Sequence, residues 1–201
     1  MKGEGVSKMK RMKKRFSRED GNILLLFAAT LTLLIFMVGI ALDLGMIYMR
    51  RNDLIDLCQL ARERRFTYQD TIRYAENPGR ATYQIVSNAI RENGFDGNIT
   101  VYFYEQEPTP DHRYYQVRTV LSEQYEYTFL KLFGADTVMI STYLDGGEHY
   151  GGESSTDMIW HPTIPCSKYN GSYTGTNNSQ NPLFAPGDLP SDWVENERGP
   201  L

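Results

Sequence analysis

An α+β fold carried on a single membrane-spanning helix is predicted by three features of this sequence. Residues Ile23 to Leu42 form 20 consecutive positions without a charge, apolar side chains continue beyond them at helical spacing, and three stretches rich in β-branched and aromatic residues follow. A length of 201 residues, 41% of them hydrophobic, suits one modest domain plus an appended segment.

The first element is the span. At about 1.5 Å per helical residue, 20 residues reach about 30 Å, the thickness of a bilayer's hydrocarbon core. A cleaved secretory signal has a shorter apolar region of about 7–15 residues and a small-residue cleavage site. Here the following stretch, MIYMRRNDLIDLCQLARERRF, continues as a helix, which favours an uncleaved span over residues 21–49. The preceding residues 1–20 carry eight Lys or Arg against three acids, so the positive-inside rule places them in the cytoplasm; Arg50 and Arg51 on the far side weaken that orientation without reversing it. The net charge of −4 means that the rest of the chain is strongly acidic, which argues against nucleic acid as a partner.

Beyond the membrane, Ile47, Leu54, Leu57 and Ala61 extend the helix to about Thr71. Asn77-Pro78 reads as a cap and first turn of a second helix, with Tyr83, Val86 and Ile90 on one stripe and Asn93-Gly94 as its stop. The strand candidates are 98–106, 113–123 and 137–144. Their short connections make an antiparallel sheet packed on the helices the economical arrangement. On the first strand, alternation sets Ile99, Val101 and Phe103 on the core face, opposite Thr100, Tyr102 and Tyr104. YTFLKLFG (127–134) reads as a short helix or a strand extension ended by Gly134. Residues 50–144 thus form the predicted domain. In residues 145–201, Gly, Pro, Asn and Ser supply 25 of 57 positions, the composition of a loop-rich or partly disordered tail, with Trp160, Tyr169, Phe184 and Trp193 as candidate anchors to the sheet.

Within the span, Gly21, Ala28, Thr32, Gly39 and Asp43 fall within about 60° of one another at 100° per residue. Such a stripe of small and polar residues is the expected surface for a helix–helix contact in lipid, with Asp43 bonding a partner's donor at its rim and a homo- or hetero-oligomer as the product. The competing reading makes Asp43 an interfacial residue at the end of the anchor. Cys58 and Cys166 are the only cysteines: a disulfide is one expectation, two unlinked thiols the other. DGGEHYGGESSTD (145–157) gathers acids and His149, yet its spacing matches no EF-hand or zinc pattern and reads as a solvated loop. No nucleophile elbow, zincin helix or phosphate-binding loop occurs, so neither enzyme activity nor a metal or cofactor is expected.

The basic stretch, Gly21, LFAATLT (26–32), ALDLG (41–45) and DLCQLA (56–61) together resemble the TadE/TadG-like proteins of the Flp (tight adherence) pilus system. Gly21, Asp43, Gly45, Asp56, Leu60 and Ala61 match that outline. The family's proline position is Thr32 here, and its alanines are Leu57, Cys58 and Gln59. The resemblance implies a pilin-like outer domain and a non-enzymatic, single-pass component of a bacterial pilus-assembly or secretion apparatus. It would sit in the inner membrane, with other pilus-assembly or pilin-like membrane proteins as partners. Processing after Gly21 would place Leu26, not the favoured glutamate, at the fifth position, so the uncleaved TadG-like branch is expected over a processed minor pilin. A membrane-tethered module binding a ligand or cell-wall component is the alternative from a different class.

Overall fold

The computed structural model describes residues 4–105, 113–150, 166–175 and 181–194. Helix α1 runs without interruption over Glu4–Thr67. It ends a few residues short of the predicted Thr71, because Tyr68 leaves helical geometry and the short helix α2, Gln69–Arg73, turns to bury Ile72. Helix α3, Pro78–Glu92, begins where its sequence signals place it. The Asn77 side chain accepts the Arg80 N–H at 2.9 Å, and Pro78 occupies the first turn, where its missing N–H costs nothing.

The sheet has five antiparallel strands: β1 (Asn98–Glu105), β2 (Arg113–Glu126), β3 (Thr137–Tyr150), β4 (Gly171–Gly175) and β5 (Leu183–Pro186). Their order is β3-β2-β1-β4-β5. Burial alternates along β1 with Ile99, Val101 and Phe103 inside, as the period-2 pattern requires.

The chain divides into two units. One is Met1–Met46 with Tyr127–Asp136, and the other is Ile47–Glu126 with Thr137–Leu201. In the second, Leu54, Cys58 and Ala61 of α1 and Tyr83, Val86 and Ile90 of α3 join the inner sheet residues Ile99, Val101, Phe103, Tyr115, Val117, Leu121, Ile140 and Tyr173 in one core. Arg50 lies half-buried with its guanidinium forked onto Glu123, at 2.6 and 2.9 Å, and this partner raises its pKa further. Arg65 is almost fully buried, its guanidinium 4.7 Å from the Phe66 ring centroid and 5.8 Å from that of Tyr115.

The predicted boundary between residues 144 and 145 is not an edge of the sheet. β3 continues to Tyr150, and the glycine-rich remainder supplies β4 and β5. Composition concealed this because β4, GSYTG, brings only Tyr173 as a large side chain of its own. β4 instead pairs with β1, Val101 opposite Tyr173, and thereby shares a core built by the rest of the chain. Asn170 side chain clamps the end of β1, accepting the Glu105 N–H and donating to the Glu105 carbonyl. Of the predicted aromatic anchors, Phe184 stacks on Tyr173 at 4.7 Å, and Trp193 lies 5.4 Å from the Arg118 guanidinium; Trp160 lies outside the described residues.

Arg118 joins the far part of the chain to the sheet, forking onto both Asp145 and Asp192, the latter on the short helix α4 (Ser191–Val194). The Arg118 pairing holds the Asp192 carboxyl below its ordinary value of 3.8. A carboxyl depressed in the folded state favours docking above its ordinary value and loses that contribution as pH falls through the depressed one. In a Trp160→Phe background, Trp193 emission is therefore expected to shift red below about pH 4. Arg118→Gln should show the red-shifted emission already at neutral pH, with no acid transition left.

Candidate membrane-proximal site

In the first unit, residues 22–46 of α1 leave nearly all their side chains open. Only 6% of its most apolar 18 residues is buried within the chain, unlike a core helix. The exposed set includes Ile23, Leu24, Leu25, Leu26, Phe27, Leu33, Leu34, Ile35 and Met37, each 60–71% exposed. Among the described residues this is the one helix long and apolar enough to cross a membrane, and it lies near the N-terminus. Its hydroxyls are satisfied within the helix: Thr30 donates to the Phe27 carbonyl at 2.9 Å and Thr32 to the Ala28 carbonyl at 2.8 Å.

Asp43 breaks that openness, with no exposed surface at all. Its carboxylate accepts hydrogen bonds from three consecutive backbone N–H groups of the β2–β3 connection. Thr128 donates to Oδ1 at 3.0 Å, Phe129 to both oxygens at 3.2 and 3.0 Å, and Leu130 to Oδ2 at 2.7 Å. These are the N–H groups that the first turn of a helix leaves without partners, and here they lead into and open the 3₁₀ turn Leu130–Phe133. An acid distant in sequence thus acts as the N-terminal cap that the turn lacks locally. The turn closes at Gly134, whose φ of +88° suits a glycine. The expected end of the segment is met there, while its form is a 3₁₀ turn and not a strand extension.

Gly39 lies one helical turn before Asp43 and lets this connection approach. A Cβ at residue 39 would stand 3.1 Å from Phe129 Cβ. One further turn along, the Phe36 and Phe133 rings meet edge to face at 4.5 Å. Phe36, Gly39 and Asp43 therefore form a seat for residues 128–133, held by one carboxylate, one missing side chain and one aromatic pair.

This seat redistributes the predicted stripe. Asp43 and Gly39 are engaged by the chain itself, so the donor for Asp43 comes from within the same chain. Ala28 and Thr32 remain exposed, and Gly21 falls in the helical backbone of α1. Of the residues matching the family outline, Ala61 is buried in the core of the second unit, Asp56 and Leu60 are exposed, and a Cβ at Gly45 would meet nothing within 4 Å. The partner segment at Thr128–Phe133 carried no sequence signal linking it to Asp43. Its one hint was an apolar LxxF pattern in a connection with no place in the sheet.

Cys58 is a free thiol and only 1% exposed, so the predicted bridge is not formed at this residue; Cys166 opens the 3₁₀ turn Cys166–Tyr169, and its side chain lies outside the described ones. Burial in the α1–sheet core, between Leu54 and Ala61, pushes the Cys58 thiol up to about 12. At pH 8 a maleimide is expected to leave Cys58 unmodified in folded protein and to modify it fully in denaturant; rapid labelling of the folded chain at Cys58 would contradict this packing. Of the acidic segment 145–157, Asp145 is committed to Arg118, and the side chains of Glu148, His149, Glu153 and Asp157 lie outside the described residues. Comparison with protein-family models, curated proteins and solved structures finds no match to this chain.

Proposed function

We propose that this chain is a non-enzymatic, single-pass membrane component of a bacterial Flp-type pilus-assembly or secretion apparatus. Its N-terminus is cytoplasmic, and its α+β domain stands outside the inner membrane. The observation that carries the membrane part is the exposure of α1. Twelve large apolar side chains between Ile23 and Leu42 are open. Each is worth about 1.5–3 kcal/mol when fully buried, so together they rival the ~5–15 kcal/mol that holds a whole domain folded. A bilayer removes that cost. Orientation follows from the basic residues 1–20, and the pairing of Arg50 with Glu123 neutralises one of the two opposing cations.

The assembly part rests on the resemblance through Gly21, Asp43, Gly45, Asp56, Leu60 and Ala61, and on the open positions Ala28 and Thr32 as the remaining helix-contact surface. Photo-crosslinking from Ala28 and Thr32 in native membranes, with products identified by mass spectrometry, tests it. Pilus-assembly or pilin-like membrane proteins are the expected products; crosslinks to lipid alone would overturn an assembly role for the span. The tethered-binder alternative draws on Met139 and Tyr143, 66% and 61% exposed on the edge strand β3. Exchanging residues 23–38 for an unrelated apolar span of equal length separates the two, since a tethered binder keeps its function and an assembly component loses it.

A further inference from the structure

We infer that residues 128–133 insert into the outer leaflet beside their own span, so that the protein enters the bilayer at two places in its sequence. The inference rests on the single-pass reading of α1. Three observations carry it.

The first is depth. Phe133 packs on Phe36 and Phe129 on Gly39, which are six and three residues inside Leu42, the last residue of the uncharged run. At about 1.5 Å per residue the turn reaches about 9 Å below the end of the span, close to a third of the hydrocarbon thickness. A segment seated there cannot stay in water if α1 crosses the membrane.

The second is surface chemistry. Leu132 is 80% exposed and Phe133 65%, comparable to Ile35 at 61% and Met37 at 62% on the span itself. The apolar surface of the turn therefore continues that of the helix, and the medium that covers one covers the other. Acyl chains are the occupant that matches both. Lys131 is the sole cation of the turn.

The third is the backbone. Non-helical chain is tolerated at membrane depth only when its polar groups are satisfied internally. The N–H groups of Thr128, Phe129 and Leu130 go to Asp43. Those of Tyr127, Leu132, Gly134 and Ala135 go to the carbonyls of Asp136, Phe129, Lys131 and Leu130. Asp43 thus removes three bare donors of the turn at once.

The test places a nitroxide at Leu132→Cys, with Met37→Cys as the span reference and Glu92→Cys as the aqueous one. Each is made in a Cys166→Ser background that keeps the shielded Cys58, and the full chain is reconstituted in phosphatidylglycerol/phosphatidylethanolamine vesicles. Leu132 is open, so the label leaves the packing undisturbed. Oxygen should relax the label at 132 as effectively as at 37. A polar nickel chelate, excluded from hydrocarbon, should relax it at least about tenfold less than at 92. If 37 is in lipid while 132 is open to nickel, insertion is overturned and the span stands. Shielding of 132 from both reagents would mean that protein covers the turn, and would also overturn it. If 37 itself is open to nickel, the span reading fails and insertion fails with it.

Discussion

Asp43→Leu is expected to release the β2–β3 connection from α1. The substitution keeps the helix and adds apolar surface, yet it leaves the N–H groups of Thr128, Phe129 and Leu130 without acceptors. Hydrogen bonds to a charged acceptor contribute about 1.5–3 kcal/mol each, and because they act as a group we expect a loss of about 3–4 kcal/mol in the docking of this segment. Amide exchange at these three residues should then rise by about 10²- to 10³-fold, at about 1.4 kcal/mol per factor of ten, while the β1 amides keep their protection. Asp43→Asn retains one oxygen and should fall between the two. Unchanged exchange in the leucine variant would show that the carboxylate does not hold the turn.

The second large effect is expected at Gly171, on the opposite side of β1 from β2. An added Cβ there would lie 2.2 Å from the Ala185 carbonyl oxygen, a backbone atom, and 3.0 Å from the Phe184 ring. The residue also has a φ of +152°, which side-chain-bearing residues rarely adopt. Relief requires β4 and β5 to part at the Gly171–Pro186 and Ser172–Ala185 pairs. Overpacking and backbone strain together should cost about 3 kcal/mol. For a chain of this size that lowers the melting temperature by about 6–12 °C, measurable on the full chain in detergent. Because Tyr173 belongs to the core and lies opposite Val101, the loss should extend to the sheet and not stay in the tail. A variant that melts with the parent would mean that β4 and β5 contribute nothing to the domain.

The elements legible in the amino-acid sequence were those defined by local pattern. Ile23 to Leu42 declares a long apolar helix by length and composition, Asn77-Pro78 a helix start by capping chemistry, and Ile99, Val101 and Phe103 an inner strand face by alternation. Each of these depends on one contiguous stretch of chain, so the string contains the whole of the cause. What depended on distant partners was not legible. β4 is a strand because β1 offers it a hydrogen-bonding edge, and its own glycine and serine content points the other way. Cys58 is buried as a free thiol by the sheet beneath α1, a neighbourhood that counting two cysteines cannot reveal.

Asp43 shows the division within a single residue. Its place at the end of an apolar run marked the boundary of that run, and its position on a stripe with Gly39 pointed to a contact there. Tertiary structure decided with what: three backbone donors 85 to 87 residues away, whose need for an acceptor arises only once the chain turns at Leu130. A backbone N–H is the same group in every residue and leaves no mark in a sequence. Folding alone determines which of them stand bare, and so which acid they require.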